Sequence, residues 1–206
     1  MRAVIIGTGP SLTADAIDQI KASKLPKFGC NRVFEVFDDL TALLGCNYEF
    51  WDHYWSDVKR LSCDLWTSHP KANAVPPLKY IEGRWRDGLS TDPDYVHYGH
   101  SSGYQLVNLA LHYGVDEFVL IGYDLRFPKG YDGQKRIAGG NRHFFGEYPR
   151  RLQHWTRFNI GENGELNGLL DCYRTINPED YGVRIINCSP GSALDFFEVG
   201  SLPEWL

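Results

Sequence analysis

The sequence predicts an α/β protein: a mostly parallel, twisted sheet with helices on both faces and a long lid loop. Three observations carry that expectation. The chain opens on an apolar run, Ala3-Val4-Ile5-Ile6, that passes straight into Gly7-Thr8-Gly9-Pro10-Ser11, as a buried strand does when it leaves through a glycine turn. Near the middle, Tyr104, Leu106, Val107, Leu109, Ala110 and Leu111 make a wide apolar helix face that ends at Gly114. Glu117-Phe118-Val119-Leu120-Ile121 follows at once. Such a helix-to-strand succession is the arithmetic of a parallel sheet covered on both sides. Val183-Arg184-Ile185-Ile186-Asn187 then supplies a last strand near the end of the chain.

In chain order, Pro10 suits the first position of a helix and Ser11 can cap it, with Asp15 and Asp18 in or near the early turns. Leu12, Ala16, Ile17 and Ile20 share one face of a helix from Leu12 to Ser23, and Lys24-Leu25-Pro26 stops it. Phe28-Gly29-Cys30-Asn31 is the second strand, with Asn31-Arg32 at its exit. Tyr48-Glu49-Phe50-Trp51-Asp52 is expected as a third strand that delivers Asp52, His53 and Trp55 to a loop. Asp64–Thr67 and Leu78–Ile81 are further strands around the proline-rich stretch from Pro70 to Pro77. Arg84 to Gly99 is polar and aromatic, with turn signals at Asp87-Gly88 and Asp92-Pro93. Ser101-Ser102-Gly103 leads the central helix, a helix covers Leu166 to Tyr173, and Ser189-Pro190-Gly191-Ser192 turns into a short terminal helix.

At 206 residues the chain suits one domain, 1–206, within which 122–153 is rich in Gly and basic residues and has little periodicity. A loop of that length in a compact domain is usually functional, here a mobile lid over a site. Aromatic residues make up 14 % of the chain and the net charge is −5. That balance argues against nonspecific nucleic-acid binding and draws attention to the local cluster Arg136, Arg142, Arg150 and Arg151. Five cysteines are scattered without metal-ligand spacing, which fits reduced, mostly buried thiols. With no leader ahead of the first strand and no apolar run near the ~20 residues of a membrane span, a cytoplasmic protein is expected.

Ligands of open α/β sheets gather outside the carboxyl ends of the strands. Those ends supply Thr8 to Ser11, Asn31-Arg32, Asp52-His53, Tyr123-Asp124-Leu125-Arg126 and Asn187 to Ser189. Gly7-x-Gly9 differs from the dinucleotide fingerprint, because Leu12 stands where its third glycine belongs. The P-loop's Gly-Lys-Ser/Thr is missing too. A strand, a glycine turn and a helix N-terminus still make a place for an anion. The expectation is therefore a Rossmann-like, nucleotide-binding domain of another kind.

Ile6-Gly7-Thr8-Gly9-Pro10-Ser11-Leu12, Gly29-Cys30-Asn31-Arg32, Ser101-Ser102-Gly103, Gly122-Tyr123-Asp124 and Asn187-Cys188-Ser189-Pro190-Gly191-Ser192 occur in that order. Together they resemble the sialyltransferase-like superfamily (glycosyltransferase family 42), closest to its small phage and prophage members. The Gly-Pro-Ser-Leu turn is also similar to archaeal-type hydroxymethyldihydropterin pyrophosphokinases. The first resemblance implies a nucleotide-sugar donor, of the CMP-sugar type or another, held by Gly7, Thr8, Gly9, Pro10, Ser11, Asn31, Arg32, Ser101, Ser102, Gly103, Tyr123, Asp124 and Ser189. It implies a catalytic histidine in a mobile segment, for which His143 is the nearest equivalent. Thr8, Asp52 and Arg126 depart from the sialyltransferase pattern, in which the first two positions hold asparagine and the third a tyrosine that helps the phosphate leave.

The expected chemistry is metal-independent transfer of a sugar to a hydroxyl acceptor, a saccharide or a modified nucleobase. His143 would be the general base, its ordinary pKa of about 6.5 suiting neutral pH; His100 and His53 are the alternatives. Arg126 would neutralise the departing phosphate, and Asp52 and His53 would orient the acceptor. Two other readings stand beside this one. In the first, an ATP- and Mg²⁺-dependent diphosphotransferase, Asp52 and Asp124 would be metal ligands. The second is a noncatalytic, phage-encoded nucleotide-binding protein. The sequence leaves a homo-oligomer open.

Overall fold

The computed structural model describes residues 1–71, 77–127, 144–146, 148, 149, 152 and 160–206. The strands are β1 (Arg2–Ile6), β2 (Lys27–Cys30), β3 (Ala42–Leu44), β4 (Asp64–Thr67), β5 (Lys79–Tyr80), β6 (Glu82–Arg84), β7 (Tyr95–His97), β8 (Glu117–Ile121), β9 (Arg184–Asn187) and β10 (Glu198–Val199). Between and after them run α1 (Ala14–Ala22), α2 (Tyr48–Val58), α3 (Ser102–His112), α4 (Asn167–Arg174) and α5 (Leu202–Trp205). Eight strands form one sheet in the order β10-β9-β8-β1-β2-β3-β4-β5, and β6 and β7 form a small second sheet. Every strand pairing is parallel. The architecture is Rossmann-like α/β.

Strand side chains alternate between two cores, as a two-residue period requires. Ala3, Ile5, Phe28, Cys30, Ala42, Leu44, Phe118 and Leu120 face Leu106, Leu109 and Ala110 of α3 and Leu170 and Tyr173 of α4. Val4, Ile6, Leu43, Leu65, Val119 and Ile121 face Ala16, Ile17 and Ile20 of α1, the aromatic face of α2, and Leu202 of α5. β1 and β8 are neighbours, yet the chain leaves β1 towards β2 and leaves β8 towards β9. That reversal is the topological switch point, where open sheets of this kind hold ligands.

Several elements differ from the sequence expectation, among them the strands β6 and β7, which lie where only β5 and a polar, aromatic stretch with turns were expected. Tyr48–Asp52 is the start of helix α2, not a strand, because Phe50, Trp51, Tyr54 and Val58 recur at helical spacing and all four are buried. Aromatic residues favour strands intrinsically, and burial of a helix stripe overrides that preference. The third strand is instead Ala42–Leu44. At the end of the chain, Ser192 is followed by irregular backbone and the short edge strand β10. The last helix begins only at Leu202, with Pro203 in its first turn. Of the five free cysteines, Cys30 and Cys188 are buried, while Cys46, Cys63 and Cys172 are half-buried. Among the described residues no helix is long and apolar enough to cross a membrane.

Candidate functional site

At the switch point the two exit loops are sewn together. Gly7 donates its amide to the Ile121 carbonyl at 2.8 Å, and Gly9 donates to Gly122 at 2.9 Å. A Cβ on Gly7 would stand 2.4 Å from the Gly122 oxygen, and one on Gly122 would stand 2.6 Å from the Gly7 oxygen. These glycines let two backbones meet; the sequence had suggested that they let a ligand approach.

Ser11 completes the seam. Its amide donates to Asp124 Oδ1 at 3.0 Å and its hydroxyl to Oδ2 at 2.7 Å. Pro10 and Ser11 therefore do not open helix α1, as the turn residues had suggested. Thr13 caps it, accepting from the Ala16 amide. Asp124 takes the place an external anion would have there, and burial pushes its carboxyl above the ordinary range against the pull of Ser11. Asp15 does lie in the first turn of α1.

The β8 exit is clamped on its other side as well. Tyr123 is buried, its amide donates to Ser189 Oγ, its carbonyl accepts from Ser192 Oγ, and its hydroxyl donates to the Gly103 carbonyl at 3.0 Å. Ser189 is in turn fixed by Asn187, whose side chain accepts its amide. Arg126 pairs with Glu165 at 3.4 Å across an isolated bridge. A cleft of about 500 Å³ opens beyond this clamp, lined by Ser11, Thr13, Gln19, Asn187, Ser189 and Ser201 among others.

On the opposite side of β1 lies the exit of β2. Asn31 leaves β2 in a left-handed conformation, φ 52°, which asparagine tolerates better than most residues but which still carries strain. Its Oδ1 accepts from Ser102 Oγ at 3.4 Å. Ser102 is the first residue of α3, and Ser101 caps that helix by accepting the Tyr104 amide. No backbone acceptor among the described residues takes the amides of Ser102 and Gly103. A helix start with free amides and a neighbouring carboxamide is suited to a phosphate.

Cys46 and Ser68, at the exits of β3 and β4, join this cluster. Burial pushes the Cys46 thiol up to about 11, and the Ser102 and Ser68 hydroxyls beside it pull the other way. Neither residue was anticipated from the sequence: β3, which delivers Cys46, is only three residues long, and Ser68 follows a strand whose exit was not among those considered. Gly45, punctuating the run Ala42-Leu43-Leu44, was the signal that could have revealed β3.

Phe144, Phe145 and Tyr148 reach the exits of β1 and β2. The Phe144 amide donates to the Thr8 carbonyl at 2.9 Å. Arg32 donates to the Phe145 carbonyl at 2.7 Å and lies over the rings of Phe145 and Tyr148, while Glu35 grips its other nitrogens. Thr8, Asn31, Arg32, Ser101, Ser102 and Gly103 are thus drawn towards one locus. His143, with Arg136, Arg142, Arg150 and Arg151, lies outside the described residues, as does most of 122–153.

Asp52 and His53 are not at a strand end. Both ride on α2, where Asp52 is exposed and the His53 ring meets Tyr54 edge-on. Of the two carboxylates in the diphosphotransferase reading, Asp52 lies on α2 and Asp124 is engaged by Ser11. Among the described residues, no group of three His, Cys, Asp or Glu side chains could hold a metal ion. Comparison with protein-family models, curated proteins and solved structures returns no match.

Proposed function

We propose that this chain is a glycosyltransferase-like enzyme that binds a nucleotide-activated sugar at the exits of β1 and β2 and the start of α3, and passes the sugar to a hydroxyl acceptor. The observation that carries the proposal is the pairing of Asn31 with Ser102. A strained, left-handed asparagine meets the hydroxyl of Ser102, the first residue of a helix eleven residues long, beside two amides that no backbone acceptor among the described residues takes. Strain of this sort persists where surrounding structure enforces it, and it clusters at ligand sites.

In this reading the donor phosphate rests on the Ser102 and Gly103 amides. Charge that grows on it as the sugar departs is met by the positive end of the α3 dipole. Asn31 and Ser102 orient the nucleotide, and Phe145 and Tyr148, held by Arg32, wall it from water. The acceptor hydroxyl needs a general base. The resemblance to sialyltransferases assigns that role to His143, and His100 stands next to Ser101 in the chain as the alternative. Asp124 and Ser11 hold the floor of the site and do not touch the donor.

A thermal-shift series with CMP, UDP, GDP and ATP, each with and without Mg²⁺, tests the proposal. One nucleotide should stabilise the protein without added metal, by about 2.7 kcal/mol at a hundredfold excess over Kd. Ser102→Ala and Asn31→Gly should abolish that gain. In a turnover assay His143→Ala should lower kcat roughly 10²- to 10⁴-fold while the shift persists. Stabilisation by ATP with Mg²⁺ alone, or by no nucleotide, would overturn it.

A further inference from the structure

Trp85 is 66 % exposed, yet it is not loose. Its ring stands 4.8 Å from that of Tyr98 and 4.6 Å from that of His100, tilted by about fifty degrees to each. The small sheet builds this arrangement. β6 and β7 pair Gly83 with Val96 and Arg84 with His97, and the Tyr98 amide continues the ladder by donating to the Arg84 carbonyl. Gly83 leaves room for Tyr98, since a Cβ there would lie 2.2 Å from the tyrosine ring. His100 is exposed and left-handed, φ 56°, and so turns back to meet Trp85. The next residue is Ser101, the cap of α3.

We infer that Trp85, Tyr98 and His100 form a stacking platform for a neutral pyranose ring, the acceptor saccharide; the assignment of it as acceptor rests on the function proposed above. A large indole left in water beside two ordered rings is apolar surface kept for a partner, and aromatic faces reward a flat apolar ligand face. The axial C–H groups of a pyranose provide one. The charges around the platform cancel: Glu82 pairs with Arg84 at 2.8 Å, and Arg84 lies over Tyr95. Arg86 and Asp87 are both exposed and of opposite sign. That balance favours a neutral ring over a polyanionic nucleic acid, which would want a basic track. His100 and the Tyr98 hydroxyl provide polar groups at its rim; burial raises the Tyr98 pKa and keeps that hydroxyl protonated. Continuity with Ser101 brings the platform to the edge of the proposed donor seat.

The test follows the indole N–H resonance of Trp85, identified by Trp85→Phe, while methyl β-D-glucopyranoside, methyl β-D-galactopyranoside or a single-stranded oligothymidylate is added without nucleotide. At least one pyranoside should move that resonance and show saturation transfer through one face of its C–H groups. Read by the ligand's saturation transfer, Trp85→Ala should weaken pyranoside binding about tenfold and Trp85→Phe much less. The nucleotide-induced thermal shift should be the same in all three proteins. If only the oligonucleotide moves Trp85, or nothing does, the platform is overturned even where a nucleotide still stabilises the protein. If a pyranoside moves it and no nucleotide stabilises, the saccharide site stands and the donor proposal falls.

Discussion

The carboxylate of Asp124 accepts both the amide and the hydroxyl of Ser11, at 3.0 and 2.7 Å, and ties the exit loop of β1 to that of β8. A turn that would otherwise present N–H groups to an external anion presents them to a residue 113 positions along the chain. The switch point is therefore bridged by the protein's own groups, and the amides that no backbone acceptor among the described residues takes are those of Ser102 and Gly103 at the start of α3.

Asp124 makes this bridge sensitive to pH in a defined direction. Its carboxyl titrates above the ordinary carboxylate range because burial disfavours the charge. A raised carboxyl binds its proton more tightly in the folded protein than in the unfolded chain. The stabilisation is therefore full below the unfolded value of about 3.9 and is lost as pH rises through the folded pKa. Denaturant unfolding of wild type and Asp124→Asn from about pH 4 to about pH 7 should show wild type losing ground to the variant as pH rises. A constant difference would mean that Ser11 fully offsets the burial.

The sheet was legible in the sequence because its central strands are apolar runs bounded by glycine, and α1 and α3 carry an unbroken 3.6-residue stripe. The site was less so. Gly7, Gly9 and Gly122 look alike whether a backbone or a ligand approaches them, and only the coordinates distinguish the two through the Gly7–Gly122 contact. Asn31 and Ser102 were identified from their motifs, but no local pattern says that residues 71 positions apart will share a hydrogen bond. Asp52 was misplaced because Phe50 and Trp51 carry strand propensity into a helix, and Cys46 went unnoticed because its strand is too short to show a period.

Asn31 separates backbone from side chain cleanly. Its φ of 52° suits glycine better than any other residue. Asn31→Gly should leave the melting temperature unchanged or raise it, whereas Asn31→Ala should cost about 1–2 kcal/mol through strain at that backbone position. Both should lose nucleotide stabilisation equally, since both lack the carboxamide. Retained binding in the glycine variant would remove the side chain from the site.

Gly122 is held at φ +77° with the Gly7 carbonyl where a methyl group would go. Gly122→Ala combines a left-handed penalty with a backbone clash that no rotamer relieves, so a loss of about 3 kcal/mol or more is expected. Gly114→Ala is the control. It has a similar φ of +79° but open space around it, so only the conformational penalty of about 1–2 kcal/mol should appear. Equal losses in the two variants would show that the seam between the loops adds nothing.

Arg32 tethers the segment that covers the proposed donor seat. Its guanidinium donates to the Phe145 carbonyl, stacks on Phe145 and Tyr148, and is held in position by Glu35. The Phe144 amide bonded to Thr8 reports on that tether directly. In Arg32→Gln the charge-assisted bond and the cation–π contacts are both lost, together worth about 1–2 kcal/mol. Hydrogen exchange at Phe144 should then speed up roughly five- to thirtyfold, while Val119, in the middle of β8, keeps its protection. Glu35→Gln, which leaves the guanidinium and its carbonyl partner intact, should accelerate Phe144 far less. If Val119 and Phe144 accelerate together in Arg32→Gln, the arginine supports the whole domain and not a separable cover. If neither changes, the cover is held by contacts other than Arg32.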